Sequence, residues 1–221
     1  MRLINFGNLR RLAPVSKEFG FERGLPIDRY YIEKFLAEHA RDIQGRVLEI
    51  GDDSYTRQFG KDRVQVRDVL HVEADNPAAT IVGNLTNADH IPSDAFDCFI
   101  LTQTLHFIYD VRKALRTIVR ILKPGGILLA TFPGISQINI IDQWEQKHWC
   151  WGLSTRSAAR LFAEVFREDD IKIQTYGNVL AAISFLQGIA VEELTTAELD
   201  YRDPSYEMLI AVRAVKSAND V

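Results

Sequence analysis

Residues Arg46–Tyr55 read RVLEIGDDSY, and the rest of the chain is organised around them. Val47, Leu48 and Ile50 make an apolar, β-branched run that carries one acid, Glu49. Gly51 breaks the run into the polar turn Asp52-Asp53-Ser54. A buried strand ending in a glycine turn is how an open α/β sheet begins its ligand crevice. At such a turn, unpaired N–H groups and a missing Cβ let a ligand approach the backbone. An ordinary first strand with no ligand is the alternative.

Outward from this stretch, the pattern alternates. PIDRYYIEKFLAEHARDI (26–43) spaces its apolar residues as a helix, with Pro26 suited to its start and Asp28 in the first turn. After the turn, 54–60 allows only a short helix. VQVRDVLHV (64–72), ATIV (79–82) and FDCFIL (96–101) read as strands, the last continuous and buried. Asp110 is placed to cap a helix over 111–122, and ILLATF (127–132) is a fifth strand. A helix at 157–166, a strand at 170–176, an apolar helical stretch at 178–194 and a strand at 206–215 complete the series. This is α/β logic: a seven-stranded, mostly parallel sheet with a helical insertion.

The bulk numbers narrow the class. With 221 residues, 47% of them hydrophobic and 25% charged, the chain suits one globular domain. A net charge of -4, from 26 basic and 30 acidic residues, makes no general electrostatic case for nucleic acid or an acidic membrane surface. Cys98 and Cys150 lie far apart and suggest reduced thiols. With no apolar run of transmembrane length and no signal-peptide core at the start, a cytoplasmic protein is expected. No Cys/His cluster has metal-ligand spacing, so no metal is expected.

VLEIG, an acid after the second strand, FDCFILTQTLHFIYD and RILKPGGILLATFPG together resemble a class I S-adenosylmethionine-dependent methyltransferase of the type 11 kind. The resemblance covers about 46–134, and LKPGG running into an apolar strand is its most specific piece. It implies a Rossmann-like fold, S-adenosyl-L-methionine as cofactor and a small-molecule acceptor. The family repeats glycines after the first; here Asp53 and Tyr55 stand at the next two such positions. Their Cβ atoms hold a ligand further from the backbone. Acids in the turn repel a carboxylate but suit an ammonium group, and Ser54 with the turn N–H groups is placed to take the carboxylate.

Residue by residue, the resemblance assigns Glu49, Gly51 and Asp53 to the cofactor turn and Glu73 to the ribose hydroxyls, with Asp68 and Asp75 as rivals. It puts Asn84 and Leu85 around the adenine, and Thr102 and Gln103 beside the transferring methyl group. A carboxylate is an acceptor only and so suits a vicinal diol. His106 is the candidate general base, with His148 as second candidate and a structural histidine as the alternative. Trp144, His148, Trp149 and Trp151 lie in the loop after the fifth strand, where the family builds acceptor contacts. Stacking on an acceptor and covering the sheet are equally open for these tryptophans.

Arg29, Tyr30 and Tyr31 are placed to close the pocket from the other side, with Tyr30 the substrate-contact candidate. The organisation expected is an arm and lid helix over 1–45, a methyltransferase domain over 46–216 with an insertion at about 179–196, and a tail at 217–221. The insertion is expected to cap the pocket or to join a homodimer. A methyltransferase-like protein that has lost catalysis is the rival function. A nicotinamide-dependent oxidoreductase would need a tighter glycine fingerprint.

Overall fold

In the computed structural model, which describes residues 7–138 and 149–218, seven strands form one sheet. These are β1 (Gly45–Ile50), β2 (Val64–His71), β3 (Ile81–Val82), β4 (Phe96–Thr102), β5 (Leu122–Pro133), β6 (Ile171–Tyr176) and β7 (Leu209–Val215). Their order is β3-β2-β1-β4-β5-β7-β6, and only β7 runs antiparallel to its neighbours. The order reverses between β1 and β4. In an open α/β sheet that reversal leaves a crevice at the carboxyl ends of the strands.

Alternation along the strands sends side chains to two cores. Val47, Cys98, Ile100, Leu129, Leu209 and Ala211 face α1 (Ile27–Glu38), α4 (Val179–Gln187) and α5 (Thr196–Asp200). Leu48, Phe99, Leu101, Leu128, Ala130 and Phe132 face α2 (Val111–Ile121) and α3 (Thr155–Phe162). Helix α1 buries Ile27, Tyr31, Ile32, Phe35 and Leu36, a single stripe at helical spacing. Asp110 caps α2 by accepting from the Lys113 N–H at 3.1 Å, as its position in the sequence implies.

The short helix expected at 54–60 is present, with residues 56–60 wound as one wide π turn. Several local expectations are corrected. Only Ile81–Val82 of the ATIV run pairs as a strand. The apolar stretch at 178–194 ends as a helix at Gln187, and α5 is a separate short helix. Helix α3 covers Thr155–Phe162 rather than 157–166, and β7 starts at Leu209 rather than at 206.

The KPGG segment is not a loop between helix and strand but part of β5, because Leu122 already pairs with Phe96. A Cβ at Gly126 would stand 2.8 Å from the Lys123 carbonyl oxygen and 3.0 Å from that of Phe96, so only glycine fits. The Lys123 ammonium donates to Asp97 at 2.7 Å, closing the motif onto β4.

Candidate active site

The β1 turn is built by its own carboxylates. Gly51 sits at φ +87°, and a Cβ added there would meet nothing within 4 Å, so space opens directly above it. The Asn76 side-chain amide donates to the Gly51 carbonyl at 2.7 Å and fixes the turn to the segment after β2. Glu49, only 3% exposed, accepts from the Tyr55 N–H at 3.1 Å and the Thr56 N–H at 2.7 Å. Burial pushes its carboxyl up to about 7 despite those bonds. Asp52 accepts from the Ser54 N–H at 2.8 Å and from the Ser54 hydroxyl.

Ser54 and the turn N–H groups are expected from the sequence to take a ligand carboxylate; here Glu49 and Asp52 engage the Ser54 hydroxyl and the N–H groups of Ser54, Tyr55 and Thr56. Asp53 is neutralised as well, accepting from Arg57 at 2.8 Å and lying 3.3 Å from Arg67. It braces the turn from outside.

Positive charge comes from α1 instead. The Arg29 guanidinium lies 3.5 Å from the Tyr55 hydroxyl, and burial opposes its charge while Asp28, Tyr55 and Asp52 favour it. Beside it, Asp28 accepts from the Gln103 side-chain amide at 3.3 Å. Burial raises the Asp28 pKa, with Arg29 and Gln103 opposing. Gln103 holds φ +47°, a left-handed conformation uncommon outside glycine, directly after β4. Its Oε1 is buried and accepts no hydrogen bond among the described residues. A buried acceptor without a donor is costly, so a strained residue that keeps one marks a place where a ligand donor fits.

Other assigned residues fall in two groups. Thr102 ends β4 beside Gln103, and its carbonyl accepts from the Thr104 hydroxyl at 2.8 Å. Glu73 and Asp75 are exposed past the end of β2. Asp68, the other rival for the ribose, is inside β2 and bound to Arg46 at 2.7 Å and to the Thr80 hydroxyl at 3.1 Å. Asn84 accepts from the Thr86 N–H and hydroxyl, both at 2.9 Å, and Leu85 is buried. His71, Glu73 and Asp75, alternate residues of one short stretch, also group within 4.8 Å.

His106 is 2% exposed, with its ring centroid 4.0 Å from Phe107 and 4.3 Å from Trp149. Its carbonyl accepts from the Cys150 N–H at 2.8 Å and the Trp151 N–H at 3.1 Å, so the tryptophan segment is stitched to the loop after β4. The Trp151 indole donates to the Ile108 carbonyl at 3.0 Å and stacks on Tyr109. Tyr30 donates to Asp200 at 2.8 Å, and with burial this pushes its hydroxyl up to about 12. Trp144 and His148 lie outside the described residues.

The first turn of α1, the turn after β1 and the end of β4 thus bring together a guanidinium, a carboxylate and an orphaned acceptor. Those groups complement a ligand end bearing both a carboxylate and an ammonium. The amino-acid end of S-adenosylmethionine has that chemistry, so the residues present fit the cofactor. The Asp28–Gln103 contact was not legible beforehand, because nothing in the local pattern distinguishes Asp28 from an ordinary first-turn acid.

Comparison with known proteins bears on the family and the fold. A family model described as a methyltransferase domain matches residues 34–130. The ubiquinone/menaquinone biosynthesis C-methyltransferase UbiE of Haemophilus ducreyi is 42% identical over 90 residues, 40% of this chain and 28% of that protein. Its counterpart from Pectobacterium atrosepticum is 30% identical over 103 residues, 45% of this chain and 35% of the relative. The chain thus spans about a third of the length of these relatives.

Among solved structures, an S-adenosylmethionine-dependent methyltransferase from Archaeoglobus fulgidus superposes with a TM-score of 0.56 at 12% identity, over 85% of this chain and 94% of that one. Phosphoethanolamine N-methyltransferase 2 from Haemonchus contortus, in complex with S-adenosyl-L-methionine, gives 0.54 at 14% identity, over 96% and 55%. The [4+2]-cyclase SpnF gives 0.53 at 18% identity, over 85% and 80%. Residues 34–130 match a methyltransferase-domain model, and the sheet that carries them has the fold of these solved methyltransferase structures.

Proposed function

We propose that this chain transfers a methyl group from S-adenosylmethionine to an oxygen or nitrogen of a small-molecule acceptor. The observation that carries the reading is the charged seat of Arg29, Asp28 and Gln103 beside the open turn at Gly51. The cofactor supplies an electrophilic methyl group. The chain's part is to hold its amino-acid end, with Arg29 on the carboxylate and Asp28 with Gln103 Oε1 on the ammonium. Methyl transfer then needs an in-line nucleophile close to the sulfonium carbon, and orientation alone supplies much of the rate. The reading requires no general base, which accords with the enclosed position of His106. Trp149 and Trp151 support an acceptor with a stacking or sugar face, cytoplasmic and small.

A carbon nucleophile is the second reading, favoured by the identity to the UbiE proteins, whose names specify C-methylation in quinone biosynthesis. The non-catalytic reading has one observation behind it, the turn donors already satisfied by Glu49 and Asp52.

Isothermal titration with S-adenosylhomocysteine separates these. Micromolar binding that weakens in R29A supports the cofactor site, and methyl release from labelled cofactor over a panel of hydroxyl, amine and phenolic acceptors then ranks the nucleophiles. No binding at millimolar ligand would leave the non-catalytic reading in place.

A further inference from the structure

Helix α4 carries no charged residue from Val179 to Gln187, and its two faces are both apolar. Ala181, Ala182 and Phe185 are buried against the α1 layer. Val179, Leu180, Ile183 and Leu186 point outward and are 46%, 39%, 41% and 41% exposed. Contiguous apolar surface on a folded domain marks a place of contact. No helix among the described residues is long and apolar enough to cross a membrane, so this face is a surface feature.

What lies at the ends of the helix points to the occupant. The Gln187 carbonyl accepts from the Val15 and Ser16 N–H groups at 2.8 and 3.0 Å, which brings the N-terminal segment to the end of α4. Three residues earlier stands Leu12, fully exposed, next to exposed Arg10 and Arg11. Three to five residues of chain reach at most about 10 to 18 Å, so this Arg-Arg-Leu group stays within that distance of the segment bonded to the end of the helix. Nearby acids are engaged internally: Glu193 with Arg23 at 2.6 Å, Asp200 with Lys34 at 2.6 Å, and Glu192 with the Leu25 N–H at 3.0 Å. Lys17 offsets Glu18 in the same segment.

A second copy of the chain is the weaker occupant. A stable protein interface buries roughly 800 Å² on each partner, and four side chains about two-fifths exposed fall well short of that. A lipid surface needs less: an uncharged helix face that dips into the acyl boundary, with basic side chains at headgroup level. We propose that the α4 face, with Leu12, Arg10 and Arg11, docks this protein on an anionic lipid surface. The net charge of the whole chain conceals this, because the acids are spread along it while the two arginines stand together just before the segment bonded to the end of α4. The inference does not depend on methyl transfer.

Vesicle flotation tests it, using the full chain without cofactor. Vesicles of phosphatidylcholine with about 30% phosphatidylglycerol should carry the protein up, and pure phosphatidylcholine should carry much less. I183E/L186E should cut partitioning about tenfold, and R10E/R11E should cut it several-fold while removing its salt dependence. All four positions are exposed, so unchanged circular dichroism melts are expected. Should I183E/L186E misfold, R10E/R11E and the salt titration of the unaltered chain still decide. The proposal is overturned if no flotation occurs on anionic vesicles, or if flotation is unaffected by both variants. A concentration-dependent dimer dispersed by I183E/L186E, without flotation, would overturn it in favour of self-association.

Discussion

The Gln103 side-chain amide donates to the Asp28 carboxylate at 3.3 Å, tying the loop that leaves β4 to the first turn of α1. Gln103 does this from φ +47°, a conformation that costs of order 1 kcal/mol for a residue with a Cβ. The tie holds the two walls of the pocket at a fixed separation. Gln103→Gly would relieve the backbone and remove the side chain together. The melting temperature should therefore stay within about 3 °C, while S-adenosylhomocysteine affinity falls roughly tenfold. Calorimetric titration beside a thermal melt measures both, and unchanged affinity would remove Gln103 from the site.

Arg29 provides a sharper discrimination. If its guanidinium holds the cofactor carboxylate, Arg29→Met should weaken S-adenosylhomocysteine by about 10- to 100-fold, the range for a hydrogen bond to a charged group. Methylthioadenosine lacks the amino-acid end and should bind the variant and the parent alike. Equal losses for both ligands would place Arg29 in a general structural role.

Glu49 should leave a pH signature on stability. Its folded pKa is about 7 against an ordinary 4.5, so between those values the folded chain binds more protons than the unfolded one. That contribution is present in full below about 4.5 and is lost as pH rises through about 7. Glu49→Gln cannot ionise. Its deficit in melting temperature relative to the parent should be largest near pH 5 and smaller at pH 8, in paired melts. A difference independent of pH would show that the carboxyl titrates normally.

Gly126→Ala tests the packing of the KPGG segment. The new methyl group would press on two backbone oxygens, at 2.8 and 3.0 Å, which cannot swing aside. A loss of about 1–3 kcal/mol is expected, read as a lower denaturant midpoint with an unchanged slope.

The sequence by itself determined the sheet and its helices, because both are written in local period. Continuous apolar runs fix β4 and β5, a helical stripe fixes α1, and Asp110 fixes the start of α2. LKPGG and the strand-ending Gly51 turn also carried the resemblance that implies the cofactor class, since both are contiguous patterns. Element ends were less legible where pairing, not propensity, sets them. Leu122 joins β5 because Phe96 lies across from it, and ATIV contributes only two residues to β3.

Only the tertiary structure decided the site's electrostatics. Glu49 and Asp52 engage the N–H groups of Ser54, Tyr55 and Thr56, and the cation that reaches the turn is Arg29, 26 residues from its Tyr55 contact. Asp28 and Gln103 meet across 75 residues. The sequence marked α4 only as part of a cap or a dimer contact, and the fold decided which of its apolar sides is covered and which faces outward. Hydrophobic period acts over neighbouring residues, whereas charge pairing and burial depend on which distant segments the sheet brings together.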